Sequence, residues 1–182
     1  ALFGLAMWTA FGHKYGFPDP AKKAAWSLPS KWSVASLVIL VIQISYGGFT
    51  AGLKAGHVSD TWPLMLGKWL PPNLFAAWIN IFESPQTIVF IHRWFAWLGL
   101  ILVPVVYSIV KKQNYPAEIQ NGLKWLTGIV ALQIALGVLT ILSYVNIVIA
   151  LIHQANAIVL LGLALYFIHR FRALDEKFTK TR

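Results

Sequence analysis

Gln133-Ile134-Ala135-Leu136-Gly137-Val138-Leu139-Thr140, inside the apolar run 123–144, repeats an earlier stretch of the chain, Gln43-Ile44-Ser45-Tyr46-Gly47-Gly48-Phe49-Thr50 in the apolar run 32–53. The shared pattern is QIxxGxxT. Each copy is followed by a second apolar run with Ile-His near its start and Ala four residues after the His. These are Ile91-His92 with Ala96 in 88–110, and Ile152-His153 with Ala157 in 147–168. The chain therefore reads as one helical hairpin used twice, and a parallel repeat of this kind sets equivalent residues at equivalent depth in a membrane.

Composition agrees with a membrane setting. Of 182 residues, 58% are hydrophobic and only 12% charged, with nine Trp and eleven Phe, an apolar excess beyond that of soluble domains. The formal charge of +9 could suggest nucleic acid, but the basic residues sit in short clusters between apolar runs and at the C-terminus, the pattern of membrane-protein loops. Nucleic-acid binding is discounted on that ground. The chain has no Cys, which excludes disulfides, thiolate metal sites and thiol redox chemistry within it. Any metal is left to His or oxygen ligands.

Spanning a bilayer takes roughly 20 apolar residues. Four runs meet this, 32–53, 88–110, 123–144 and 147–168, and none carries Asp, Glu or Lys away from its ends. The expectation is an all-α membrane protein with a four-helix transmembrane bundle made of two repeated helical hairpins. Residues 1–12 are apolar but too short to cross and lack a signal-peptide pattern, so they read as the end of a preceding transmembrane helix, and the chain as the C-terminal part of a longer protein. Residues 13–31 read as a basic loop, 54–87 as a long outer loop, and 169–182 as a charged tail that frays. Within the outer loop, Trp62, Trp69 and Trp78 suit headgroup depth, and 74–81 is apolar enough for a short surface helix.

Charge fixes the orientation, because cytoplasmic loops retain Lys and Arg. Lys14, Lys22, Lys23, Lys31, Lys111, Lys112, Lys124, Arg170, Arg172, Lys177, Lys180 and Arg182 fall on one side; Lys54 and Lys68 fall on the other, with Arg93 just inside a helix. Twelve against two places the long loop outside and the basic ends in the cytoplasm or matrix.

Both His-bearing helices then run inward, so His92 lies about 6 Å and His153 about 9 Å below the outer ends of 88–110 and 147–168. FIHR occurs twice, at Phe90–Arg93 and Phe167–Arg170, yet the second copy's His169 lies roughly 24 Å further along the same helix than His153. The partner of His92 is thus His153. In an up-down bundle their helices are diagonal, about 11–14 Å apart, which leaves room for one planar macrocycle with an iron bonded by each imidazole at about 2 Å. A bare Zn or Cu would want further ligands, and no carboxylate or Cys lies at that depth. Small residues one and two turns below His92, Ala96 and Gly99, and Ala157 below His153 with Asn156 beside it, would let a macrocycle lie flat, although close helix packing selects small residues as well.

Other polar residues carry competing readings. Gln43 and Gln133 fit interhelical hydrogen bonding rather than chemistry. Arg93 either reaches the headgroups or pairs with a haem propionate or Glu83. His169, next to Arg170 and Arg172, reads as an anchor at the inner interface, His13 as a loop residue, and His57 as an outer-loop residue with no assigned task.

The stretch from Gly48 to Met65, GFTAGLKAGHVSDTWPLM, resembles the AGLxAGxxxNTWPLM-like segment of the haem A synthase family. The resemblance continues through Phe90-Ile91-His92-Arg93 and Leu132–Thr140 to Leu151-Ile152-His153-Gln154-Ala155, and covers nearly the whole chain. It implies half of an eight-helix protein, with a b-type haem held in the C-terminal half by the histidines matching His92 and His153. It implies the oxidation of a methyl group of haem O to the formyl group of haem A, with haem O bound by an N-terminal half that carries the family's catalytic glutamate. It further implies a bacterial inner membrane or mitochondrial inner membrane setting, and as partners membrane lipids, haem O synthase, an electron acceptor and a second copy of the protein. The chain departs from the family at Asp60, where Asn is usual, and at Leu66, where Asp often follows the Met; lacking a Cys pair in the outer loop, it is similar to the cysteine-free branch. Two other readings compete: a bis-histidine b-type cytochrome that only transfers electrons, and a transporter half or structural subunit that holds no haem.

Overall fold

The computed structural model describes residues 2–17 and 25–180, with side chains up to residue 176. Lys22 and Lys23 of the basic loop, the side chains of Lys177 and Lys180, and Arg182 lie outside the described residues. The described elements are α1 (Leu2–Tyr15), α2 (Leu28–Gly52), a 3-10 turn at Ala55–His57, α3 (Asn80–Glu83), α4 (Pro85–Lys112), α5 (Ala117–Leu142) and α6 (Ile147–Lys180). Four of them, α2, α4, α5 and α6, are long and apolar enough to cross a membrane. The protein is a multi-pass, all-helical membrane protein.

Local chemistry sets the helix ends. The Ser27 side chain accepts from the Ser30 amide ahead of α2, Ser84 does the same for Thr87 ahead of α4, and each is followed by a Pro in the first turn, where a missing N–H costs nothing. At the α5–α6 link the Asn146 side chain accepts from the amides of Val148 (3.0 Å) and Ile149 (3.4 Å). Tyr144 and Val145 both take left-handed backbone there, at φ 55° and 60°, an unfavourable conformation for a β-branched residue that makes the reversal tight. Pro104 interrupts the hydrogen bonding of α4, and the Ser108 hydroxyl donates to its carbonyl at 2.9 Å.

Around the bundle, α2 neighbours α4 and α6, and α5 neighbours the same two helices, so α4 and α6 face each other across the diagonal. The larger apolar core fills the half away from the long loop, where Val103, Val106 and Val110 of α4 meet Leu123 and Leu126 of α5 and Leu160, Phe167 and Phe171 of α6; a smaller cluster, Ala55, Met65 and Val89, lies under the loop. In the loop-side half the layer between the helices holds Gln43, Gly47, His92, Gln133, Gly137 and His153 instead. Transmembrane bundles gain no hydrophobic energy from lipid, so this polar layer is an exception that needs a purpose.

Four expectations need correction. The tail does not leave the helix at 169: α6 continues to Lys180, and His169, Phe171 and Asp175 on it are buried. Phe171 is fully buried, and Asp175 accepts from the Ser30 hydroxyl (2.6 Å) and the Ser27 amide (3.2 Å) and pairs with Arg172 (3.1 Å), fastening the end of α6 to the start of α2. Burial of the Tyr115 ring near this cluster pushes its hydroxyl above the usual phenol range. His169 is no interface anchor; it is fully buried against Trp8, Phe11 and Tyr15 of α1, with ring centroids 5.2, 6.1 and 6.3 Å away. That packing also makes α1 a helix through Tyr15, so His13 is helical and sits against Phe17 at 5.5 Å rather than in a loop. Finally, 74–81 is mostly turns, and helix appears only at Asn80–Glu83.

Candidate cofactor site

His92 is seven residues into α4 and His153 six into α6, so each lies about 9–10.5 Å from the loop-side end of its helix. The fold brings the two side chains together. Their ring centroids are 6.4 Å apart with planes at 86°. Two imidazoles bonded to opposite faces of one metal, with about 2.0 Å to the metal and about 1.1 Å from nitrogen to ring centre, need centroids about 6.2 Å apart. The observed 6.4 Å between centroids is close to that separation.

The QIxxGxxT repeat explains how the rings are held. Gly47 and Gly137 each face the histidine of the adjacent helix so closely that a Cβ would lie 3.1 Å from the ring Cε1 of His92 or His153. Glycine here is a matter of close approach. One turn before each glycine, the glutamine reaches the same histidine: Gln43 Nε2 lies 3.1 Å from His92 Nδ1 and donates to the His92 carbonyl at 2.9 Å. Gln133 Nε2 lies 3.4 Å from His153 Nε2, and the Gln133 backbone carbonyl lies 3.1 Å from His153 Nδ1. Asn156 supports this second copy by donating to Gln133 Oε1 (2.7 Å) and to the Ile129 carbonyl (3.3 Å). Sequence reading treated the two glutamines as interhelical glue. They are that, but what they grip is histidine, and the motif's recurrence was the signal available for it.

Arg93 goes to neither Glu83 nor the headgroups. It is buried, and its Nη1 and Nη2 donate to the carbonyls of Thr61 (3.1 Å) and Ser59 (2.7 Å), fastening the outer loop beside His92. Trp62 of the same turn stacks on Trp94 and Trp97 of α4, at 6.2 and 6.5 Å, and so covers that helix. Trp69 and Trp78 remain exposed. The loop also rests on the α5–α6 link: Gly56 approaches Val145 so that a Cβ there would sit 3.0 Å from Val145 Cγ2. A hydrogen bond with Tyr144 holds the Asp60 carboxyl below the usual carboxylate range and the Tyr144 phenol above its own. His57 stays on the exposed outer turn, and Gly99 faces Val130 of α5 rather than either histidine.

Among the described residues no three His, Asp or Glu side chains come together as a bare-metal site would need. Two paired imidazoles without a carboxylate or thiolate, flanked by glycine and amide groups, are the donor chemistry that could hold a metal macrocycle. The Cytochrome oxidase assembly protein family model matches residues 1–165. The chain belongs to this COX15-CtaA family. Within it, the chain is 33% identical over 92% of its length to the "Heme A synthase" of Rhizorhabdus wittichii, covering 48% of that protein. It is 35% identical over 93% of its length to that of Parvibaculum lavamentivorans, again covering 48%, and 42% identical over 72% to that of Wolbachia pipientis, covering 37%. As a COX15-CtaA chain it therefore spans about half, or less, of the length of the curated relatives it matches. No solved structure matches.

Proposed function

We propose that His92 and His153 would hold a b-type haem, and that the chain is the cofactor-holding half of a haem A synthase. The whole protein would oxidise a methyl group of haem O to the formyl group of haem A in a bacterial or mitochondrial inner membrane, with the long loop outside and the basic ends inside. The observation that carries this reading is the 6.4 Å pairing of two histidines at repeat-equivalent positions. Membership of a family whose relatives are named heme A synthase supports the reaction.

When bound, the haem would supply a one-electron carrier. Turning a methyl group into a formyl group with water-derived oxygen releases electrons and protons, so a route for electrons away from the substrate is the task we assign to this half. His92 and His153 would hold the iron, Gly47 and Gly137 would leave the rings room, and Arg93 would keep the outer loop closed over the site. A remaining Arg93 N–H could meet a propionate, since Nε is buried without a partner. Haem O, haem O synthase, an electron acceptor and a second copy of the protein are the partners this reading proposes.

The test is pigment analysis of the whole protein expressed in a host that makes haem O but no haem A. Extracted haem A supports the enzyme reading. A haem-loaded protein that leaves haem O unchanged would instead favour the electron-transfer cytochrome, and a colourless one would favour the transporter or structural subunit.

A further inference from the structure

We propose that the lipid-facing side of α4 carries a site for one anionic phospholipid, whose acyl chain lies in the groove at Pro104 and whose phosphate meets the lysines where α4 ends. The proposal stands on the membrane-spanning fold and is independent of what His92 and His153 hold.

The groove comes from the sequence of α4. Pro104 cannot supply the N–H that the Leu100 carbonyl would take in a regular helix, and its ring crowds the preceding turn. Beside it lies a groove of about 340 Å³ lined by Pro104, Val105, Ser108, Ile109 and Lys112. Positions 104, 108 and 112, with 105 and 109, form one stripe along the helix. The Ser108 hydroxyl is turned onto the Pro104 carbonyl at 2.9 Å, so the groove keeps an apolar character as far as Lys112. Val103, Val106 and Val110 point into the core, whereas Ile101 and Val105 are exposed. α1 packs on α6, across the diagonal from α4, and leaves this side of the bundle open.

Pro104 and Lys112 are eight residues apart, about 12 Å along the axis. In a bilayer whose hydrocarbon is about 30 Å thick, that span runs from headgroup level into the acyl chains. Lys111 and Lys112 are exposed in the last turn of α4, and Lys124 of α5 holds its ammonium 5.8 Å from the centre of the Tyr107 ring on α4. Three positive groups thus gather at one corner. Among the described residues no carboxylate pairs with them: Glu118 faces Tyr166, and Asp175 is taken by Ser27, Ser30 and Arg172. Lysines at a helix end above an apolar groove are complementary to a molecule with an anionic head and a hydrocarbon tail. A zwitterionic lipid would fill the groove but bring a cation of its own to the lysines. A soluble phosphate would meet the lysines and leave the groove empty.

Native mass spectrometry of the whole protein, released from mild detergent containing equal amounts of phosphatidylglycerol and phosphatidylcholine, reads both parts of the site. The wild type should retain one phosphatidylglycerol in preference to phosphatidylcholine. A lysine near an anionic headgroup is worth about fivefold in binding, so Lys111→Gln/Lys112→Gln should lower that preference roughly 25-fold. Lys54→Gln/Lys68→Gln, on the outer loop, should leave it unchanged. Ser108→Phe fills the groove and should reduce retention of both lipids; if that variant does not fold, the lysine pair decides alone. Absence of a preference in the wild type, or the same preference in Lys111→Gln/Lys112→Gln, overturns the proposal. Displacement of the phosphatidylglycerol by inorganic phosphate would reveal a phosphate site that does not use the groove. A doubled mass that Ser108→Phe abolishes would put a second copy of the chain on this face; either result overturns the lipid assignment.

Discussion

His92→Ala and His153→Ala are each expected to abolish the low-spin bis-histidine absorption spectrum of the haem-loaded protein, with neither residue able to substitute for the other. Each imidazole serves one face of the macrocycle, and the 6.4 Å spacing leaves no second histidine within reach: His169 lies about 24 Å along α6 from His153, boxed in by α1. Outer-shell partners of a metal site are commonly worth about 10–100-fold in affinity, so loss of a ligand itself should exceed that range. Haem retention on purification and the optical spectrum measure the effect together. A spectrum unchanged in either variant would remove that histidine from the site. His169→Ala should keep the spectrum, because its burial is structural.

The second large effect falls on the glycines. Gly47→Ala and Gly137→Ala would each put a methyl group 3.1 Å from a histidine Cε1, and the ring would have to shift by a few tenths of an ångström. Overpacking of this kind costs about 1–3 kcal/mol, which is about 5- to 150-fold in haem affinity if the ring position is what suffers. Gly47→Leu and Gly137→Leu should empty the site altogether. The contrast lies on the same helices: Gly48 on α2, next to Gly47, and Gly128 on α5 have open space around them, so Gly48→Ala and Gly128→Ala should leave haem retention near wild type. Equal losses at Gly47 and Gly48 would show helix propensity or general packing at work instead of a ring cradle.

Much of this was legible in the chain. Apolar runs of spanning length and the QIxxGxxT echo were enough to expect four helices in two hairpins, because each signal depends on residues close in sequence. The pairing of His92 with His153 over His169 followed from depth alone, through the fixed rise of a helix. What stayed hidden depends on contacts between distant segments. The Arg93 guanidinium had plausible partners in a propionate and in Glu83, and nothing local points to the carbonyls of Ser59 and Thr61, which only the folded loop presents. The stretch from His169 onward looks like a solvated basic tail until α1 is laid against it and Asp175 is seen to reach Ser27 and Ser30. Gln43 and Gln133 were ambiguous because a glutamine in a spanning helix needs a partner but does not name it.

The most direct test of the account is an experimental structure of the haem-loaded protein. The account expects one iron porphyrin between α4 and α6 with a nitrogen of His92 on one face of the iron and a nitrogen of His153 on the other. An iron held by any other residue, or either ring turned out toward lipid, would contradict it.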